Sequence, residues 1–345
     1  MPKHRHTGSP SPAQAVPGIF ALEVDNCGDE GRPPANGDPS FQRSKNVTAP
    51  QTLATHMAAE LASQPETWAR AAELRDDQAR LPESGARIAV VGCGTSWFIA
   101  QSYACLREAG GHGETDAFAA SEAFADRRYD AVVALTRSGT TTEVLQLVER
   151  LRGRVPTVGV LGDATSPLVG LVDEVVVLDF ADERSIVQTR FATTVLAFFR
   201  ASLGQDLDRA VADAGRAVGE EFDPELIGAE QFTFLGRGWT VGLAHEAALK
   251  MREAAQSWTE SYPAMEYRHG PISIAAPGRV VWHFGEAPAG LAAEVASTGA
   301  RFEAGKLDPM AELVRAQRVA LARAQAKGLN PDSPRNLTRS VILDN

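Results

Sequence analysis

The chain has 345 residues, 44% of them hydrophobic and 23% charged, enough to bury a full core in one large or two medium domains. A formal charge of −10 excludes the dense Lys/Arg field that nucleic acid or an anionic membrane would demand, which leaves small molecules as the expected partners. No apolar run reaches the roughly eighteen residues of a membrane span, and the three cysteines Cys27, Cys93 and Cys105 form no CxxC pair, so no metal site, cofactor or disulfide framework is expected and a reducing cytoplasm fits.

Residues 1–53, rich in Pro, Gly, Ser and Asn, read as a disordered tail in which His4 and His6 are solvated. MAAELASQPETWARAAEL, from Met57, has helical spacing and leads into a first domain over 54–204. There the apolar runs RIAVVGCG, DAVVALTRSG, PTVGVLG and EVVVLDF alternate with helical segments such as SWFIAQSYACLREAGG and TRFATTVLAFFRASLG. Continuous apolar strands separated by helices predict a parallel sheet covered on both faces. A polar helical linker is expected over 205–230. The stretch 231–345 then repeats the theme with QFTFLGRG, VGLAHEAALKMREAAQ and RVVWHF, but offers only a short further strand near ARFEAG before the helix DPMAELVRAQRVALARAQAKG. The fold class is therefore α/β, with two doubly wound, flavodoxin-like halves, the second trimmed.

In such sheets ligands sit beyond the carboxyl ends of the strands. Two turns there combine glycine with hydroxyls: GCGTS, with Gly94, Thr95 and Ser96, and LTRSGTTTEV, with Thr136, Arg137, Ser138 and Thr141. Any one hydroxyl alone reads better as a helix cap, but two such turns in one sheet point to an anion held at helix N-termini. A G-x-G-x-x-G fingerprint would need glycine at Trp97, and no Walker lysine is present, so the anion is the phosphate of a small metabolite rather than of a nucleotide.

Glu246, Lys250 and Glu253 stand at i, i+4 and i+7 on one stripe of an Ala-rich helix. An exposed Glu246–Lys250 ion pair would account for two of them. A carboxylate tuned by burial beside a lysine would be a general base for proton transfer at carbon. His269, in EYRHGP, carries an imidazole, a group suited to proton transfer, or else is held structurally beside Gly270 and Pro271. His245 and His283 have weaker claims, the latter as a core histidine.

Taken in order, GCGTSWFIA, LTRSGTTTE, ERSIVQTRFATT, LGRGWTVGLAHEAALKMREAAQ, EYRHGP and PRNLTRSVIL resemble the sugar isomerase (SIS) family from about Ala54 to Leu343. The resemblance is closest to the isomerase half of glucosamine-6-phosphate synthase and to the amino-sugar phosphate isomerases and deaminases. It implies two SIS domains, homodimers that complete each other's sites, and a 6-phosphate held by GCGTS and TRSGTT. It also implies Glu253 as the base, Lys250 and Glu246 at the substrate, and His269 as the group that opens the ring. Three positions depart from the pattern. Arg339 replaces an imine-forming lysine, and a guanidinium that stays protonated cannot form an imine, although it can bind an oxyanion. Arg137 and Gln188 stand where the synthase has glutamine and serine, which suggests a different substituent on the sugar. The synthase's glutaminase half is not found in these residues, so glutamine-dependent amination is not expected.

Three readings follow. The first is isomerisation or deamination of a glucosamine-type hexose 6-phosphate. The second is a lyase that dehydrates N-acetylglucosamine-6-phosphate by expelling its C3 hydroxyl. The third, a non-catalytic sugar-phosphate sensor, is disfavoured by Glu253, His269 and the lack of a helix-turn-helix segment.

Overall fold

The computed structural model describes residues 55–124 and 126–343. The tail, with His4 and His6, lies outside the described residues. The chain opens with helices α1 (Thr55–Ala62), α2 (Gln64–Glu73) and α3 (Arg75–Gln78) and continues through β1 (Ile88–Gly92), α4 (Thr95–Ala109), β2 (Thr115–Ala119), β3 (Ala131–Thr136), α5 (Thr142–Leu151), β4 (Thr157–Leu161), β5 (Glu174–Val177) and α6 (Arg190–Ser202). Helices α7 (Asp208–Gly219) and α8 (Pro224–Gly228) lead to β6 (Gln231–Gly236), α9 (Thr240–Ala255), β7 (Thr259–Pro263), β8 (Arg279–His283), α10 (Leu291–Ser297), β9 (Arg301–Ala304) and α11 (Pro309–Ala326).

The strands form two sheets, β2-β1-β3-β4-β5 and β7-β6-β8-β9, and every pairing is parallel. The first order is the doubly wound pattern in which the chain reverses direction between β1 and β3 and opens a crevice there. The second order repeats it one strand short. Strands β1, β3 and β6 are buried along their whole length, as their largely apolar runs require. The edge strands β2 and β7, TDAFA and TESYP, are mostly half-exposed and mix polar with apolar residues, so no apolar run announced them. Among the described residues no helix is long and apolar enough to cross a membrane.

One continuous core joins the sheets, with Val90 and Val133 of the first in the same cluster as Phe232, Phe234 and Trp282 of the second. Helices α4 and α9 meet inside that core. They come close together at Gly242, where an added Cβ would stand 2.4 Å from the Phe98 carbonyl oxygen and 2.3 Å from Ser102 Oγ. Only a residue without a side chain lets the backbones touch, and that contact sets where the residues one and more turns further along α9 face the start of α4.

Replacing Gly242 with Ala supplies about 1 kcal/mol of helix propensity but forces the helices apart. The net expectation is a loss of about 1–3 kcal/mol, read as a lower urea midpoint with an unchanged slope.

Candidate active site

The two hydroxyl turns sit at the carboxyl ends of β1 and β3. Gly94 begins α4 with φ +52°, a left-handed conformation that a side chain would strain, and this bends the chain so that Thr95 and Ser96 are buried at the helix N-terminus. Thr141 precedes α5 in an extended conformation. Between the turns lies a cavity of about 190 Å³ that collects Gly94, Thr95, Ser96, Thr136, Arg137, Ser138, Thr141, Gln188, Lys250, Glu253 and Arg339. Clefts of about 710 and 770 Å³ open elsewhere on the surface, but their walls gather none of these side chains.

Helix α9 supplies the charged floor. Lys250 is buried, with its ammonium bonded to Glu253 Oε2 and 3.7 Å from Glu246 Oε1. Burial would discharge the amine, but its acidic neighbours Glu246 and Glu253 outweigh it and hold Lys250 above its usual range. Glu253 keeps 20% of its side chain accessible and lines the cavity.

The segment after α11 forms a strap across this crevice. At its base the Asp332 carboxylate accepts the backbone N–H groups of His56 and Met57 at 3.0 and 2.8 Å, capping the start of α1. Further on, Arg137 donates from Nη2 to the Arg339 carbonyl at 2.9 Å and from Nη1 to the Ser185 carbonyl at 2.9 Å. Thr140 Oγ1 is 2.9 Å from Ser340 Oγ, the Thr142 N–H donates to the Val341 carbonyl at 3.1 Å, and Leu343 N–H donates to Thr142 Oγ1 at 2.9 Å. Part of the second hydroxyl turn is thus spent on the strap. Ser138 Oγ likewise accepts from the backbone and the hydroxyl of Thr140 at 3.2 and 3.0 Å.

Arg339 reaches the cavity wall, but its guanidinium turns away from the expected anion. It grips both Asp182 oxygens at 2.6 and 2.7 Å and also bonds the Glu183 carbonyl. Arg339, expected from the sequence to bind a substrate oxyanion, thus lines the cavity while its guanidinium is engaged by Asp182 and Glu183. Arg137 is similarly committed to carbonyls, with its Nε alone left without a partner, and burial lowers its affinity for its proton. Gln188 Oε1 also lacks a partner.

Three contributors escaped the sequence reading. Glu183 is buried and accepts the N–H groups of Thr189, Arg190 and Phe191 at 2.7, 2.7 and 3.1 Å, tying the Gln188 loop to the start of α6. Asp182 anchors the strap, and Glu60 of α1 accepts from the N–H groups of Arg184 and Ser185 at 2.6 and 3.3 Å. The adjacent acids Asp182 and Glu183, shortly before a helix start, were the available signal.

No family model matches the sequence. Among curated proteins, the chain is 25% identical over 304 residues to the isomerizing glutamine–fructose-6-phosphate aminotransferase of Sulfolobus acidocaldarius, covering 76% of this chain and 51% of that protein. It is 28% identical over 352 residues to the aminotransferase of the same name from Aeropyrum pernix, covering 84% and 57%. The chain thus spans about half the length of the curated relatives it matches. Among solved structures, glucosamine-6-phosphate deaminase from Thermotoga maritima superposes with a TM-score of 0.71 at 24% identity, over 83% of this chain and 100% of that one. Tagatose-6-phosphate ketose/aldose isomerase from Escherichia coli gives 0.69 at 19% identity, over 86% and 100%.

The chain thus shares its fold with the solved phosphosugar isomerases and deaminase, and its sequence is similar to the isomerizing aminotransferases. Two of the residues expected at the site fall outside the cavity. Glu246 lies behind Lys250, fully buried, rather than at the wall. His269 is exposed at the end of a short 3-10 turn after β7 and does not line the cavity of its own chain. His245 Nδ1 is 2.9 Å from Ser261 Oγ, and His283 is a buried core residue 3.3 Å from the Gly285 carbonyl.

Replacing Arg339 with Ala removes three contacts that hold the strap. Amide hydrogen exchange is expected to quicken several-fold over residues 337–343 and to stay unchanged in β1, β3, β6 and β8.

Proposed function

We propose that this chain acts on a ring-opened, phosphorylated amino sugar of the glucosamine type, moving a proton between C1 and C2. One observation carries the reading: the Lys250–Glu253 pair faces the same small cavity as the two hydroxyl turns, so a phosphate gripped at one end presents carbon to a carboxylate at the other. Glu253 removes the C2 proton, the electrons pass to the C1 oxygen, and the Lys250 ammonium offsets the charge that develops there. The proton returns to C1. With an amine on C2 the product is a C2 imine, which water hydrolyses to a ketose and ammonia. Names such as deaminase and ketose/aldose isomerase among the structural relatives are consistent with this chemistry.

A second reading is favoured by the strap. Arg339 is turned to Asp182 and supplies no imine-forming amine, while Gln188 Oε1 and Arg137 Nε leave one acceptor and one donor unmet. An N-acyl group, with its N–H and C=O, would meet both. Its nitrogen cannot leave as ammonia, so the C2 carbanion would expel the C3 hydroxyl as water, a lyase reaction on N-acetylglucosamine-6-phosphate.

The exposed position of His269 accords with a homodimer in which this histidine serves the pocket of the other chain. Mixing inactive Glu253→Gln chains with inactive His269→Ala chains should then restore activity. Mixtures no more active than either parent would count against sharing.

Incubating the protein with glucosamine-6-phosphate or its N-acetyl form in D₂O and following both by NMR separates the readings. Proton exchange at C1 or C2, ammonia release, and a product lighter by one water each select one branch. Silence on every hexose phosphate would leave a non-catalytic sensor. Glu253→Gln should lose about 10²–10⁴-fold in kcat, and full turnover by that variant would remove Glu253 as the base.

A further inference from the structure

Glu246 is not used by this chemistry, yet it occupies an expensive position. It is fully buried on α9, and neither carboxylate oxygen has a partner at hydrogen-bond distance, the Thr95 hydroxyl being a donor that bears on it weakly. The nearest cation, Lys250 Nζ, is 3.7 Å away and bonded instead to Glu253. An ionised carboxylate buried with so little to replace its hydration is strongly disfavoured, and such a group takes up a proton.

We propose that Glu246 is a positioning residue that carries a proton at neutral pH and, by staying uncharged, leaves the Lys250 ammonium to Glu253. The inference rests on the assignment of Glu253 as the base, but the state of Glu246 itself does not. Burial is the main cause that pushes Glu246 up to about 8; Glu253 and Glu183 push the same way, while Lys250 and the Thr95 hydroxyl oppose. Among charges on elements packed against α9, Arg107 and Glu108 of α4 bond the Ala86 carbonyl and the Thr115 N–H, while Arg315 of α11 bonds Glu312 and Glu220, and Arg318 the Ala217 carbonyl. Arg323 of α11 bonds Ser257 and the Ile227 carbonyl, Glu260 of β7 lies beside Tyr262, and β6 carries no charged residue. Arg252, on α9 itself, feels both acids from a half-buried position.

The consequence follows from charge counting. With Glu246 neutral, one ammonium faces one carboxylate, and Glu253 is oriented by its bond to Lys250. Once Glu246 ionises, a second anion competes for Nζ, loosens Glu253, and adds repulsion toward a phosphorylated substrate. Activity should therefore carry an alkaline limb that belongs to a residue outside the cavity.

The test has two arms. In the first, kcat/KM on whichever sugar phosphate is turned over should fall about ten-fold per pH unit above about pH 8 in the wild type, and Glu246→Gln, uncharged at every pH, should lack that limb. An identical limb in the variant overturns the proposal. The second arm needs no substrate. In protein ¹³C-labelled at glutamate carboxyls, one resonance absent from Glu246→Gln should titrate near pH 8, and titration in the ordinary carboxylate range overturns the proposal. If Glu246→Gln does not fold, the resonance displaced in Glu246→Asp identifies the residue. Because the folded state holds a proton that the unfolded state releases above about pH 4.3, stability due to this group is present below that range and lost as pH rises to about 8. The wild-type urea midpoint should fall across that window and that of Glu246→Gln should fall less. Failure on every phosphosugar would remove the proposed function while the titration still decides the state of Glu246.

Discussion

The site depends on a contact between two helix backbones. Gly242 lets α9 lie directly on α4, and α4 begins at the turn that carries Thr95 and Ser96. About two turns further along α9 comes Lys250 and about three turns further Glu253, so the helix crossing brings hydroxyls from one sheet and charges from the other to one cavity. Neither sheet makes the pocket alone. The first sheet contributes two turns at its switch point, and the second contributes the helix that follows its central strand.

Much of this was legible because it is local. Buried parallel strands read as unbroken apolar runs, and hydroxyl-rich turns after β1 and β3 mark the crevice whatever else the chain does. The period of α9 correctly set Glu246, Lys250 and Glu253 on one stripe, but periodicity gives a direction and not a depth. It could not say that Glu246 stops behind Lys250 while Glu253 reaches the cavity. The edge strands β2 and β7 were missed because half-exposed strands alternate polar with apolar residues. Contacts between distant residues left no sequence signal at all: Asp332 caps a helix 275 residues earlier, and Glu60 supports a loop 124 residues later. His269 followed the family pattern in sequence, yet its place in this chain is exposed.

Arg339 illustrates how one substitution changes the physics of a segment. A lysine at this position would carry a movable amine, whereas the planar guanidinium grips both oxygens of Asp182 and a carbonyl at once. The backbone of the same residue is held by buried Arg137. Side chain and main chain are therefore both fixed, and the segment works as a clasp over the crevice rather than as a source of reactive nitrogen.

That clasp also separates assembly from competence in time. Both sheets and every helix precede residues 337–343 in the order of synthesis, so the scaffold can complete its core before the wall of the cavity exists. The wall that residues 337–341 lend the cavity comes into place only once this stretch has met Asp182 and Thr142.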